Sequence, residues 1–230
     1  GTANAGEPLQ ARVTSQIDAG IRYTIIPGLN LVMGAFEIKK PYYDRNTSNI
    51  YTVVGNLKHT GVEFSLTGKP MPSLKVVAGA VYIKGKVSGL PVDNGTIGST
   101  EPGLAPYTMR FNAQYSPAWM HGVISEFQAN SETANYANRT NTFKVPTLTT
   151  FGIGARYPFK IGTTWLSARV FIDNIFGTFK WNVDGNSGRF VPSSQRLSER
   201  KLGVSYQSDK HSHECWLLAV HFRKNEGHRS

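Results

Sequence analysis

The chain has 230 residues, of which 40% are hydrophobic and only 17% charged, with 23 Gly and 10 Tyr. Soluble domains usually carry about 25% charged residues, and no run of about 18 apolar residues is present, which excludes a transmembrane helix but not a β-barrel, whose strands need apolar residues only at alternate positions. A formal net charge of +10 admits an anionic partner such as nucleic acid, but the 25 Lys and Arg are scattered, mostly one per strand or loop, with no run of five or more, as lumen or loop charges would be.

Period-two alternation begins at Arg12 and runs to Ile25. Ile17, Ala19, Ile21, Tyr23 and Ile25 fall on one face, and Gln16, Asp18, Gly20, Arg22 and Thr24 on the other. Ile26-Pro27-Gly28 predicts a tight turn into a second strand, Leu29 to Lys39. The third strand, His59 to Gly68 with a start near Tyr51, sets Val62, Phe64 and Leu66 against Glu63, Ser65 and Thr67. Further strands follow at Lys75–Lys86, Thr108–Tyr115, Gly122–Ser131, Thr147–Tyr157, Thr164–Asn174 and Leu197–Gln207. No helical periodicity competes with these nine.

The connections alternate strictly. Ile26–Gly28, Lys69–Leu74, Ser116–His121 and Pro158–Thr163 are short; those near Lys40–Asn49, Val87–Tyr107, Glu132–Pro146 and Ile175–Arg196 are long and polar. Short periplasmic turns opposite long external loops are the pattern of an outer-membrane barrel, whose strands need about 9–11 residues to cross at a tilt. Tyr23, Tyr115, Trp119, Tyr157, Phe159, Trp165 and Tyr206 sit beside the short turns, as an interfacial aromatic girdle would. The expected fold is all-β: residues 1–207 form part of an antiparallel transmembrane β-barrel, about nine strands of a larger one, and 208–230 form an atypical polar tail. Nine strands leave unpaired edges in lipid, so further strands are expected before residue 1. Gly1-Thr2-Ala3-Asn4 does not open a secretory signal, which points to a processed chain or one that starts within a longer frame.

Catalytic patterns are missing: the sequence shows no G-x-S-x-G elbow, no paired carboxylates at a defined spacing and no phosphate-cradling Gly loop before a helix. The expectation is therefore no enzyme, no cofactor and no metal. The single Cys215 forbids an intrachain disulfide, and His211, His213, Cys215 and His221 match no tight zinc spacing. Arg22, Glu63, Arg110, Glu126, Arg156, Arg169 and Asp173 lie on wet faces, where they would line a lumen and pair across strands or hold a plug. Better ligand-binding candidates lie in the long loops: Tyr42, Tyr43, Arg45, Tyr107, Tyr136, Arg139, Phe179 and Trp181.

An ordered set of segments resembles TonB-dependent siderophore receptors. LNLVMGAFEIKKP (Leu29–Pro41), His59-Thr60-Gly61-Val62-Glu63-Phe64-Ser65, GLAPYTMRFNAQY (Gly103–Tyr115), Gly154-Ala155-Arg156-Tyr157 and Val170-Phe171-Ile172-Asp173-Asn174-Ile175-Phe176 run in family order. The resemblance implies a 22-stranded barrel in the bacterial outer membrane, an amino-terminal plug, energy from the inner-membrane TonB complex, and import of ferric siderophores, for which aromatic and basic loop residues are suited. Its expected partners are outer-membrane lipid, a ferric siderophore and, through an upstream plug, TonB. No plug or TonB box is present here, Tyr107-Thr108 replaces a basic-His pair after Pro106, and Ser208 stands where the family ends on an aromatic; a frameshift or lost stop codon would explain the tail from Asp209. A passive porin-like channel and a soluble basic β-domain that binds nucleic acid are the alternatives.

Overall fold

The computed structural model describes residues 1–8, 11–162, 164–183, 190–192 and 200–207. The tail after Gln207, with its His and Cys residues, lies outside them. The strands are β1 (Ser15–Ile26), β2 (Leu29–Arg45), β3 (Tyr51–Met71), β4 (Leu74–Ser88), β5 (Tyr107–Tyr115), β6 (Ile124–Glu132), β7 (Asn135–Tyr136), β8 (Lys144–Val145), β9 (Leu148–Ile161), β10 (Thr164–Ile172), β11 (Trp181–Val183), β12 (Phe190–Pro192) and β13 (Arg200–Gln207), with one α-helical turn, α1 (Leu90–Asp93), after β4 and a 3-10 turn (Ala118–Met120) after β5. One nine-stranded antiparallel sheet takes the order β1-β2-β3-β4-β5-β6-β9-β10-β13. All nine sequence-predicted strands are therefore in it, in chain order. β7–β8 and β11–β12 are small hairpins inside long loops.

Register sorts the side chains. Ala19, Ala35, Val62, Tyr82 and Tyr107 stand in one cross-strand row, followed by Ile21, Met33, Phe64, Ala80 and Met109, then by Tyr23, Leu31, Leu66, Ala78 and Phe111. Beyond β5 the face continues through Phe127, Ile153, Ala155, Val170 and Ala168. Ile17, Ile21, Phe64, Met109 and Ile153 are exposed although large and apolar, so this face meets an apolar surround rather than a protein core. The opposite face carries Asp18, Arg22, Glu63, Arg110, Asn112, Gln128, Arg156 and Arg169. There the buried Glu126 accepts from Arg169 at 2.7 Å and lies 3.6 Å from Arg156, a cross-strand cluster of the wet-face charges.

The aromatic girdle departs from expectation at one position. Tyr157 and Phe159 stack at 6.3 Å on the apolar face, but Trp165 shares parity with Ser167 and Arg169, pairs with Lys160 and lies under its ammonium at 5.7 Å. Its ring has a cation–π partner on the wet side.

β2 and β3 are longer than the alternation alone predicts, 17 and 21 residues. The connection expected at Lys40–Asn49 is a tight turn, in which Asn46 Oδ1 accepts from the Ser48 and Ile50 amides at 3.0 and 2.9 Å. Tyr42, Tyr43 and Arg45 thus lie in a strand. Pro41 is accommodated because β1 pairs with β2 only as far as Lys39, leaving β2 one neighbour beyond that point. Pro70 and Pro158 likewise sit beyond the last pair on one side, at Gly68 and Arg156. A residue without an N–H is tolerated where no second ladder needs it. Below the belt, Gly28 turns β1 into β2 with φ of 85°, a conformation that costs glycine little.

Phe64→Arg, in the middle of the apolar face, is expected to cost about 2–4 kcal/mol in lipid, read as a lower urea midpoint. Ser65→Arg, one residue on and facing the other way, should stay within about 0.5 kcal/mol.

Candidate functional site

At the long-loop end the wet face of β2–β4 is covered by the β4–β5 loop. α1 and the residues after it fold back so that Ile97 and Val92 pack with Leu57, Val87 and Tyr42. Leu57 and Val87 are almost fully buried, a small apolar core standing above the membrane-facing rows. Farther along the loop, Glu101 reaches His59 with its Oε2 and lies 3.9 Å from Lys40 with its Oε1. The loop can approach this closely because Gly85 has no side chain: a Cβ there would stand 2.6 Å from Leu104 and 3.0 Å from Glu101.

The β6–β9 loop locks onto the same structure. Gly98 N–H donates to the Arg139 carbonyl and Gly103 N–H to that of Tyr136, each at 2.7 Å. Asn141 bridges to Thr100 in both directions, accepting from its amide and donating to its carbonyl at 2.9 Å. The Arg139 guanidinium pairs with Asp44 of β2, which is buried. Within this loop Asn138 Oδ1 accepts from the Thr142 and Phe143 amides, and Lys144 lies over the Tyr136 ring at 4.8 Å.

The β10–β11 connection is organised by Asn174, which is buried with φ of 48°. Its Oδ1 accepts from Thr178 N at 3.0 Å and its Nδ2 donates to Thr178 O at 2.8 Å. Thr178 Oγ1 donates to Thr149 O at 2.7 Å, tying the turn to β9. Asn tolerates the left-handed region and bonds its own turn, which gives Asp173-Asn174 a structural role. Beside it the buried Lys180 donates to Glu132 at 3.1 Å.

The eight sequence candidates separate into three groups. Tyr42, which packs from β2 against the loop core, and Tyr136 and Arg139 of the β6–β9 loop belong to the interlocked structure on the wet face. Tyr43, Arg45 and Tyr107 do not: Tyr43 lies 5.8 Å from Tyr51 with Arg12 over its ring at 4.6 Å, Arg45 is exposed at the end of β2, and Tyr107 starts β5 with its ring 4.7 Å from Tyr82 on the apolar face. Phe179 and Trp181 form an edge-on pair at 5.4 Å, with Trp181 exposed. Sequence reasoning missed Lys40, Asp44, His59, Glu101, Glu132 and Lys180. The parity of His59 was readable from its strand. Glu101 and Asp44 find partners about forty or more positions away, and no local pattern announces that. Among the described residues no group of His, Cys, Asp and Glu is arranged to hold a metal.

Wide antiparallel strands, an apolar outer face, a charged inner face and interlocked loops at one end define a segment of an outer-membrane barrel wall. The sequence model of the TonB dependent receptor-like β-barrel matches residues 1–175, and the chain belongs to that family. It is 26% identical over 172 residues to the ferrichrome receptor FcuA of Yersinia enterocolitica, covering 72% of this chain and 22% of that protein. The structure superimposes on BauA, the ferric preacinetobactin receptor of Acinetobacter baumannii, with a TM-score of 0.71 and 23% identity, covering 84% of this chain and 30% of the other. It also superimposes on the ferripyoverdine receptor of Pseudomonas aeruginosa, with a TM-score of 0.65 and 16% identity, covering 84% and 27%. The chain spans less than a third of the length of each.

Removing the Glu101 anchor tests the loop lock. Glu101→Ala is expected to speed amide exchange at Gly98 and Gly103 about tenfold, the effect of losing one charge-assisted bond, while the β5–β6 amides stay protected.

Proposed function

We propose that this chain forms part of the wall of a bacterial outer-membrane receptor that captures a ferric siderophore at its long-loop end and passes it inward with energy from the TonB complex. The observation that carries the reading is membership of the TonB-dependent receptor family over residues 1–175, and the names of the relatives, a ferrichrome receptor among them, support the substrate class. The wall contributes binding and orientation, not chemistry. In this reading lipid contacts the row containing Phe64 and Met109, and a plug carried elsewhere in the polypeptide meets the charged inner face. The interlocked β4–β5 and β6–β9 loops supply a pre-organised rim. Arg139 and Tyr136 sit on it, and the exposed Trp181 edges it. Planar, anionic iron chelates suit cationic and aromatic groups of this kind. A pre-ordered rim also lowers the entropy lost on capture.

The experiment is a fluorescence titration of the intact receptor with ferric hydroxamates, ferric catecholates and ferric citrate. Saturable quenching by one class is expected, with Trp181→Ala weakening that binding about tenfold, as truncation of an aromatic anchor does. A plugged receptor should also show no steady conductance in a planar bilayer. An open, siderophore-indifferent conductance would instead favour the passive channel.

A further inference from the structure

Above the apolar belt, the outward face of β2–β4 changes character. Lys39, Lys58 and Lys86 stand directly opposite one another in a single cross-strand row, and Glu37, Thr60 and Lys84 form the row beneath it. Below these comes Ala35-Val62-Tyr82, the upper row of the belt. Like charges directly opposite one another destabilise a sheet, so three lysines in register call for an anion. Glu37 answers only part of that demand, bonding Lys58 at 2.7 Å and Lys39 at 3.0 Å. Lys84 and Lys86 are exposed and have no ion-pair partner among the described residues. The β4–β5 loop does not help them, because Glu101 is spent on Lys40 and His59, on the other side of the sheet.

Position selects the anion. Lys84 and Lys86 lie two and four residues beyond Tyr82 along β4, about 7 and 14 Å of strand at 3.4 Å per residue and less after barrel tilt. With the Tyr82–Tyr107 pair as the interfacial aromatics at the top of the apolar rows, the two lysines reach the level at which lipid headgroups meet the hydrocarbon. Directly below, small side chains at Ala19, Ala35 and Ala80 open a shallow apolar groove of about 630 Å³, walled by Met33, Phe64 and Met109. A cationic row over an apolar groove fits an amphiphile whose phosphate lies above its acyl chain.

We propose that Lys84 and Lys86, backed by Lys39 and Lys58, form a binding site for the phosphorylated headgroup of an outer-leaflet glycolipid, with one of its acyl chains in the groove beneath. The inference rests on the membrane placement given above but not on the identity of the siderophore. Lysine is the apt residue: a compact point charge on a long stem that can lie along apolar surface while its ammonium reaches the headgroup.

The intact receptor in neutral detergent is titrated with mixed micelles of diphosphoryl lipid A in phosphatidylcholine, and with the bis-dephosphorylated form. The phosphorylated lipid should bind saturably, and Lys84→Gln with Lys86→Gln should weaken it roughly 30-fold, at about a fivefold loss per lysine near an anionic surface. The arginine pair K84R/K86R should retain binding, and the dephosphorylated lipid should bind the wild type as weakly as the phosphorylated lipid binds the glutamine variant. Inorganic phosphate at equal concentration should not compete. Equal binding by wild type and glutamine variant, indifference to the phosphates, or displacement by inorganic phosphate would each overturn the proposal. Siderophore titration of the same glutamine variant should be unchanged. If no siderophore class binds the wild type while lipid discrimination persists, the transport reading fails and the lipid site stands.

Discussion

In hydrocarbon a backbone N–H or C=O finds no water, and leaving one unpaired costs several kcal/mol. That constraint accounts for most of the architecture. Across the membrane-facing rows each strand lies in register with its neighbours, from Tyr23 with Leu31 to Val170 with Leu202. Departures from the ladder gather at its ends. The register shift at Ile26 lies at the turn into β2, the one between Gly68 and Met71 at the turn into β4, and the one between Tyr42 and Tyr43 in the raised part of the β2–β3 hairpin. The prolines obey the same rule: Pro41 and Pro158 have a single paired neighbour and Pro70 falls in the register shift before Met71, so the missing N–H breaks no ladder bond.

Once the strands are committed to pairing, side chains have only two directions, and the chemistry of each is set by what lies there. Outward positions in the membrane rows take Ile, Met, Phe and Ala; inward ones take Asp, Arg, Glu and Asn. Above the rows water reaches both sides, and the division of labour changes. The inner side of β2–β4 buries a miniature core around Leu57 and Val87 and anchors two loops. The outer side keeps lysines. Raising β2, β3 and β4 beyond the lipid therefore gives the loops a rigid wall to fold against, which turns the ends and not the middle of the barrel into its most elaborated region.

This also explains what could be read in advance. Alternation at Ile17–Ile25, Val62–Leu66 and Met109–Tyr115 is a direct imprint of a two-sided environment, so strand existence, order and facing were legible. The extension of β2 was not. Lys40, Tyr42, Tyr43 and Asp44 are polar or aromatic because neither side of the segment meets lipid, so the periodic signal fades just where the strand continues, and Pro41 reads as a break unless the missing β1 neighbour is known. Tyr107 was placed in a loop for the same reason: Pro106 beside it hides the start of β5. The partners of Asp44 and Glu101 were illegible on different grounds. Their identities are set by where two long loops fold back onto strands more than forty residues away in sequence.

Burial distinguishes the ion pairs that hold the loops from those that do not. Glu37 with Lys39 and Lys58 is a surface arrangement, and such pairs contribute only about 0–1 kcal/mol each. Asp44 and His59 are buried at the points where Arg139 and Glu101 arrive. Leaving a buried charge or hydrogen-bonding group without its partner costs more than a surface pair usually contributes. These joints add to the core around Leu57 and Val87 and to the bonds of Gly98, Gly103 and Asn141, and each is costly to leave half-made. Such joints favour opening as a unit over gradual loosening, since a partial opening strands a charge without freeing the loop. A rim built this way is firm while its joints are made, and it moves only when they are released together.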